Sequence, residues 1–209
     1  MPPILTTIAF VLCCLAYTVS AARIRRDDDG EGSGHGDEGE EDGKTSTHGV
    51  IACVAYAILL IGAVLMRALK GPKTWLVHAC TQAIGLVLVV ASAALGIELA
   101  QSTHSFTDAH VVIGLLLFAS IWVLALGGLL HHLSFRKYRR PTFIGTAHAW
   151  SARTIITLAI INGGLGLALA GGHGVGAYAA YGIVTGVIWI CWVGFTIISM
   201  RRESRDAKA

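Results

Sequence analysis

The chain has 209 residues, of which 54% are hydrophobic and 14% are charged, and its formal net charge is +3. Soluble domains contain about 25% charged residues, so this composition predicts a membrane protein and excludes an ordinary soluble domain. The Lys and Arg residues lie in clusters beside apolar segments, and this arrangement gives no indication of nucleic-acid binding.

The N-terminal region is predicted to contain a signal peptide followed by a segment without regular structure. An apolar run over residues 4–19 is followed by the small residues Ser-Ala-Ala at 20–22, which is typical of a cleavage site. We therefore expect residues 1–22 to be a cleaved signal peptide, the alternative being an uncleaved apolar helix. Residues 23–47 are acidic and rich in glycine, so we expect a disordered extracytoplasmic segment that cannot bury a core.

Five long apolar segments follow, and each is long enough to cross a membrane. A helix of about 20 residues spans the ~30 Å hydrocarbon layer, and a helix satisfies its own backbone hydrogen bonds in lipid. We therefore expect an all-α membrane protein, with a five-helix transmembrane bundle over residues 48–199 and a basic cytoplasmic tail over residues 200–209. The predicted helices cover residues 48–66, 75–97, 109–131, 143–170 and 176–199.

The loops between these helices predict their orientation. The first loop, the third loop and the C-terminal tail contain three, four and four Lys or Arg residues, whereas the second and fourth loops contain none. Cytoplasmic loops are enriched in Lys and Arg. We therefore expect a multi-pass protein of the plasma membrane or an endomembrane, with an extracytoplasmic N-terminus and a cytoplasmic C-terminus.

A histidine lies near the start of each of the first four predicted helices: His48, His78, His110 and His148. Ionisable residues are costly at membrane depth, so these four are candidates for function. Neighbouring helices in a short-looped bundle are antiparallel, which sorts the histidines into an outer pair, His48 with His110, and an inner pair, His78 with His148. Two imidazoles at one depth suit the two axial positions of a haem iron. A purely structural role, a non-haem metal site and a proton relay remain as alternatives.

Short motifs accompany the histidines: His48-Gly49, His78-x-x-x-Gln82, His110-x-x-Ile113-Gly114 and His148-Ala149-Trp150-x-x-Arg153. The fourth predicted helix continues with the run Asn162-Gly163-Gly164-Leu165-Gly166. Together these motifs resemble the cytochrome b561 family over about residues 45–200. The resemblance is strongest to the branch whose b561 core follows an extracellular DOMON domain, and we expect this chain to lack that domain.

The resemblance implies a four-helix core in which the two histidine pairs ligate the irons of two non-covalently bound haems b. It implies a transmembrane oxidoreductase that carries electrons from cytoplasmic ascorbate, or a similar small anionic donor, to an extracytoplasmic acceptor. Monodehydroascorbate and ferric chelates are the acceptors it suggests, and no catalytic residue is expected beyond the haem ligands. The alternative function is a haem-bearing membrane anchor subunit that relays electrons for a partner redox protein. Besides these molecules and the lipid bilayer, a second copy of the chain is a candidate partner.

Basic residues near the cytoplasmic end complete the set of candidates. Arg67, Lys70 and Lys73 follow the first predicted helix and would hold an anionic donor, although the same charges also mark the cytoplasmic side. Arg153 lies five residues after His148 in a set of predicted helices that contains no carboxylate. We therefore expect Arg153 to contact a haem propionate or the haem edge, unless its side chain extends back to the cytoplasm.

Overall fold

The computed structural model describes residues 36–69, 71–140 and 142–206, and they form five α-helices. Helix α1 spans Gly36–Ala68, α2 Thr74–Ser102, α3 Ala109–Tyr138, α4 Phe143–Ala170 and α5 Val175–Asp206. Each of the five is long and apolar enough to cross a membrane. The predicted all-helical class and number of spans are therefore confirmed. The predicted signal peptide, residues 23–35 and Lys70 lie outside the described residues.

Helix α4 has the predicted bounds, and local signals account for both ends. It begins after Thr142, whose hydroxyl oxygen accepts a hydrogen bond from the Gly145 N–H at 3.2 Å, the usual role of an N-cap threonine. It ends where Gly171 and Gly172 adopt φ angles of +63° and +65°, a conformation that favours glycine. These two glycines allow the chain to turn directly into α5.

Helix α1 begins earlier than predicted, because residues 36–47 of the segment expected to be disordered are helical. Lys44 in this extension forms a 2.8 Å ion pair with Glu98, near the end of α2. The extension therefore runs beside the neighbouring helix at least as far as Lys44, about one turn before His48. Acidic and glycine-rich composition argues against a packed core, but it does not exclude a polar helix that continues from an apolar one.

The first four helices form two hairpins, α1 with α2 and α3 with α4, which contact each other through α1 with α4 and through α2 with α3. Buried apolar side chains fill the middle of this arrangement in two clusters, Ala55, Leu59, Val89 and Ile121, and Leu117, Ile155 and Ala159. Helix α5 joins α1 and α4 through a third cluster, Leu60, Val64, Ile156 and Trp192. Apolar side chains on the outer faces are exposed, for example Val87, Val123 and Ile190, as contact with lipid requires.

Candidate functional site

The structure brings the four histidines together as two pairs. The ring centroids of His48 on α1 and His110 on α3 are 6.0 Å apart, and those of His78 on α2 and His148 on α4 are 6.5 Å apart. The two ring planes are nearly perpendicular in both pairs, at 82° and 87°. These are the partners that the alternating helix directions predict.

Each of the four imidazoles makes a hydrogen bond from Nδ1 to a backbone carbonyl oxygen of the other helix in its hairpin. The acceptors are Ser92 for His48 at 2.8 Å, Gly62 for His78 at 2.9 Å, Asn162 for His110 at 2.9 Å and Leu124 for His148 at 3.1 Å. A carbonyl oxygen only accepts, so every Nδ1 carries the proton, and in the neutral form of such a ring the lone pair lies on Nε2. Metal-binding histidines typically have this arrangement, which fixes the ring and raises its basicity.

The four acceptors follow a regular spacing that the motifs did not reveal. Each lies 14 residues after the histidine of its own helix: Gly62 after His48, Ser92 after His78, Leu124 after His110 and Asn162 after His148. Fourteen residues make nearly four helical turns, so the histidine and the acceptor share a face about 21 Å apart. Each hairpin thus makes two reciprocal bonds, one near each end. Every residue has a backbone carbonyl, so residue type does not identify the acceptors. The spacing of 14 residues after each histidine is the one sequence signal for them.

Glycines give three of the imidazoles room against the facing helix. A Cβ at Gly96, Gly166 or Gly128 would lie only 2.7, 2.7 or 3.0 Å from Cε1 of His48, His110 or His148, respectively. Each of these glycines lies four residues after the carbonyl that its histidine bonds. His78 differs, because its acceptor is itself a glycine and the residue four positions later is Met66. Helical glycines are therefore part of the histidine sites and not only helix-packing contacts.

The separation of the two rings in each pair agrees with that of two imidazoles on opposite sides of one metal ion. Two metal–nitrogen bonds of about 2 Å each, with the ring radii added, separate the centroids of two opposed imidazoles by about 6 Å. The observed 6.0 and 6.5 Å agree with this value. No group of three or more His, Cys, Asp or Glu side chains that could hold a metal ion occurs among the described residues. A metal ion held between one such pair would need further ligands from a non-protein group, and the planar macrocycle of a haem is a group of that kind.

Two amide side chains from the sequence motifs lie beside the pairs. Gln82, one turn after His78, donates from Nε2 to the Leu59 carbonyl at 3.2 Å, and Asn162 lies against Gly114, one turn after His110. Gln82 Oε1 and Asn162 Oδ1 are buried, and neither has a hydrogen-bond partner in the part of the chain that the structure describes. Such atoms are uncommon, so each is an acceptor available to a bound group or water.

Arg153 lies in a cleft of 410 Å³ between α4 and α5. Its guanidinium carbon is 4.6 Å from the centroid of the Trp150 ring, and its Nη2 is 3.7 Å from the sulfur of Met200. Five residues turn a helix through about 140° beyond one full turn, so Arg153 is directed to α5, on a different face from His148. Its contact with a haem propionate stays a prediction.

One of the basic residues that follow the first apolar segment forms an ion pair with a carboxylate of α5. Arg67 Nη1 lies 3.1 and 3.3 Å from the two carboxylate oxygens of Glu203 on α5, an ion pair that the sequence analysis missed. Lys73 is exposed immediately before α2, and Lys70 lies outside the described residues. Glu203 occurs in a tail that is mostly basic, so the sequence contains no indication that this carboxylate pairs with Arg67.

Two further histidines lie at the same end of the helices as Arg67. His131 packs against Gly145, and its Nδ1 is 3.3 Å from Thr142 Oγ1. His132 stacks on Trp75 with 4.3 Å between the ring centroids. Both contacts join the C-terminal part of α3 to the start of another helix. These packing contacts explain the positions of the two rings, and no ligand is needed to explain them.

Five apolar helices, four of which contribute a partly buried histidine to two facing pairs, define a multi-pass integral membrane protein. The chain is 34% identical over 137 residues to a curated Arabidopsis thaliana protein described as a cytochrome b561 and DOMON domain-containing protein. This likeness supports the cytochrome b561 family. The match covers 62% of this chain and 33% of that relative, so the chain spans about a third of the length of the relative it matches. No family model and no solved structure matches the chain.

Proposed function

We propose that this protein transfers electrons across a membrane through two b-type haems, one held by each histidine pair. The observation that carries the proposal is the fourfold arrangement in which every paired imidazole is anchored through Nδ1 and has the ring centroid of a second imidazole 6.0 or 6.5 Å away. The name of the Arabidopsis thaliana relative, a cytochrome b561, supports a haem at such sites. A haem bound between two imidazoles supplies reversible one-electron chemistry at its iron.

The protein residues would have three tasks in this function. His48 with His110, and His78 with His148, would ligate the two irons in a core formed by α1–α4. The reciprocal hydrogen bonds would hold the pairs about 21 Å apart along the helices, most of the thickness of the hydrocarbon layer. The buried apolar clusters between the pairs would exclude water from the path.

The proposed direction of transfer, from the cytoplasm outward, is the one that the resemblance to the cytochrome b561 family implies. The positive-inside rule supports a cytoplasmic location for the end with Arg67, Lys70 and Lys73. We propose that these residues attract ascorbate or a similar small anion as the electron donor, and that Arg153 meets a haem propionate near this end. Monodehydroascorbate or a ferric chelate would accept the electron at the other end, at the plasma membrane or an endomembrane.

Reduction and reoxidation of the purified chain test this function. Ascorbate should reduce the bound haem, and a ferric chelate added afterwards should reoxidise it, as followed by visible absorption in detergent. Haem that dithionite reduces but ascorbate does not would contradict the proposed donor. A chain with no haem absorption would contradict the whole proposal and would favour a structural, metal-transport or proton-relay role for the histidines.

A second candidate function is a haem-bearing membrane anchor that relays electrons for a partner redox protein. The observation that favours it is the length of the Arabidopsis thaliana relative, of which this chain matches only 33%. In that case ascorbate and ferric chelate would exchange electrons slowly with the isolated chain, and a partner protein would accelerate the exchange. The kinetics of the same absorption experiment therefore separate the two functions.

A further inference from the structure

Ser92 contacts His48 with its side chain as well as with its backbone. The Ser92 carbonyl oxygen accepts from His48 Nδ1 at 2.8 Å, and the Ser92 hydroxyl oxygen lies 3.2 Å from the same nitrogen. The hydroxyl in turn donates to the backbone oxygen of His48 at 3.3 Å. This second bond directs the hydroxyl proton away from Nδ1, so a lone pair of Oγ faces the Nδ1–H. Ser92 is only 5% exposed, and water does not compete strongly for these bonds.

The other three acceptor positions lack this second contact. Gly62 has no side chain, and Leu124 has an apolar one. Asn162 has a polar side chain, but its amide lies against Gly114 and its Oδ1 has no partner among the described residues. Among the four paired histidines, and within the described part of the chain, His48 is therefore the one whose Nδ1–H faces two oxygen atoms.

An additional acceptor at Nδ1–H draws the proton away from the ring and makes Nε2 a stronger electron donor. A stronger donor stabilises the more positive, oxidised state of a bound metal relative to the reduced state. We propose that Ser92 is a positioning residue that lowers the reduction potential of the haem at the His48–His110 pair. The inference rests on the proposed function, since it concerns the equilibrium in which that ferric haem takes up one electron to become ferrous.

Ser92→Ala tests the inference, because it removes the hydroxyl and keeps the carbonyl. In a potentiometric titration of the purified full chain, one of two midpoint potentials should rise and the other should stay unchanged. The ratio of reduced to oxidised haem at a fixed solution potential should increase by a factor of at most about five, because the difference in strength of one neutral hydrogen bond between the two oxidation states is smaller than the bond itself. The potential that rises should be the one that disappears in His48→Ala and remains in His78→Ala.

Two control variants separate the hydroxyl from other effects. Ser92→Thr keeps a hydroxyl and should keep the potential of the unchanged chain. Ser102→Ala removes an exposed hydroxyl of the same helix, which bonds the Leu99 carbonyl within α2, and should shift neither potential. If Ser92→Ala loses its haem, Leu124→Ser tests the inference instead. It places a hydroxyl at the equivalent position beside His148 and should lower the reduction potential of the haem at the His78–His148 pair.

Unchanged potentials in a Ser92→Ala protein that retains both haems would overturn the inference and leave the proposed function intact. A shift in Ser92→Ala of the potential assigned to the His78–His148 pair would also overturn it. If Ser92→Ala has lost its haem, unchanged potentials in Leu124→Ser would overturn it instead. Absence of haem from the unsubstituted chain would contradict the proposed function itself.

Discussion

If each histidine pair holds one haem, as we propose, then removal of one histidine should remove one haem and spare the other. His48→Ala and His110→Ala should each reduce the haem content from about two per chain to about one, and both should lose the same spectral component. His78→Ala and His148→Ala should lose the other component. Haem content per chain and the difference spectrum of reduced minus oxidised protein measure both effects.

A control for these variants is His104→Asn, which replaces an exposed loop histidine and suits its φ of +54°. This variant should keep both haems. The pairing is wrong if His48→Ala and His78→Ala lose the same component, or if any of the four single variants keeps both.

A glycine substitution tests the fit of the imidazoles against the helices. The added Cβ in Gly96→Ala would lie 2.7 Å from His48 Cε1, so the ring must move away from the Ser92 carbonyl. We expect this variant to lose most of the haem at the His48–His110 pair and to retain the other haem. Gly182→Ala is the matched control, because nothing lies within 4 Å of the added Cβ there. Equal haem content in the two variants would contradict this role of Gly96.

The sequence was sufficient to predict the pairs but not the way in which they are anchored. Loop charges and helix direction predict the end of the bundle at which His48 and its partner lie, because charge and helix direction can both be read from the types and order of the residues. The carbonyl acceptors could not be predicted in this way, since a backbone oxygen is the same at every position. The direction of Arg153 was also not predicted, because depth along a helix says nothing about the face on which a side chain lies.

At the scale of the helices, the ion pair between α1 and α5 leads to a prediction about the donor. Glu203 neutralises Arg67, the residue proposed to attract an anionic donor. Glu203→Gln should release Arg67 and lower the KM for ascorbate by a factor of about 1.4 to 5, since exposed ion pairs contribute roughly 0.2–1 kcal/mol. Steady-state reduction of the haem at increasing ascorbate concentration measures the change.

Glu98→Gln is the matched control, because Glu98 pairs with Lys44 at the opposite end of the helices. It should leave the KM for ascorbate unchanged. An equal KM in Glu203→Gln and in the unsubstituted protein would remove Arg67 from the proposed donor site.

The helix bounds were predictable where the change from apolar to polar residues coincides with a capping signal. Thr142 and Gly171 mark α4 in this way, and its predicted and observed bounds agree. Helices α1, α3 and α5 continue into charged residues beyond their apolar segments, and hydropathy contains no signal for such extensions. The contact of Lys44 with Glu98 is a tertiary feature that a single segment cannot reveal.

At the scale of the whole molecule, the charge distribution predicts one orientation. A reporter fused after the C-terminus should lie in the cytoplasm, whereas one inserted in the loop between α2 and α3 should lie outside. The loop lacks Lys and Arg, while the C-terminal tail contains four of them. Protease protection in sealed vesicles distinguishes the two sides. A protected loop reporter with an accessible C-terminal reporter in right-side-out vesicles would reverse the proposed direction of electron transfer.

The most direct measurement is the haem content and absorption spectrum of the purified, detergent-solubilised chain before and after chemical reduction. We predict about two non-covalently bound b-type haems per chain, because two imidazole pairs each fit one iron between them. Both haems should be extractable with acidified organic solvent, since no covalent attachment motif is present in the sequence. A purified, folded chain that has no haem absorption even after expression with added haem would contradict the central claim.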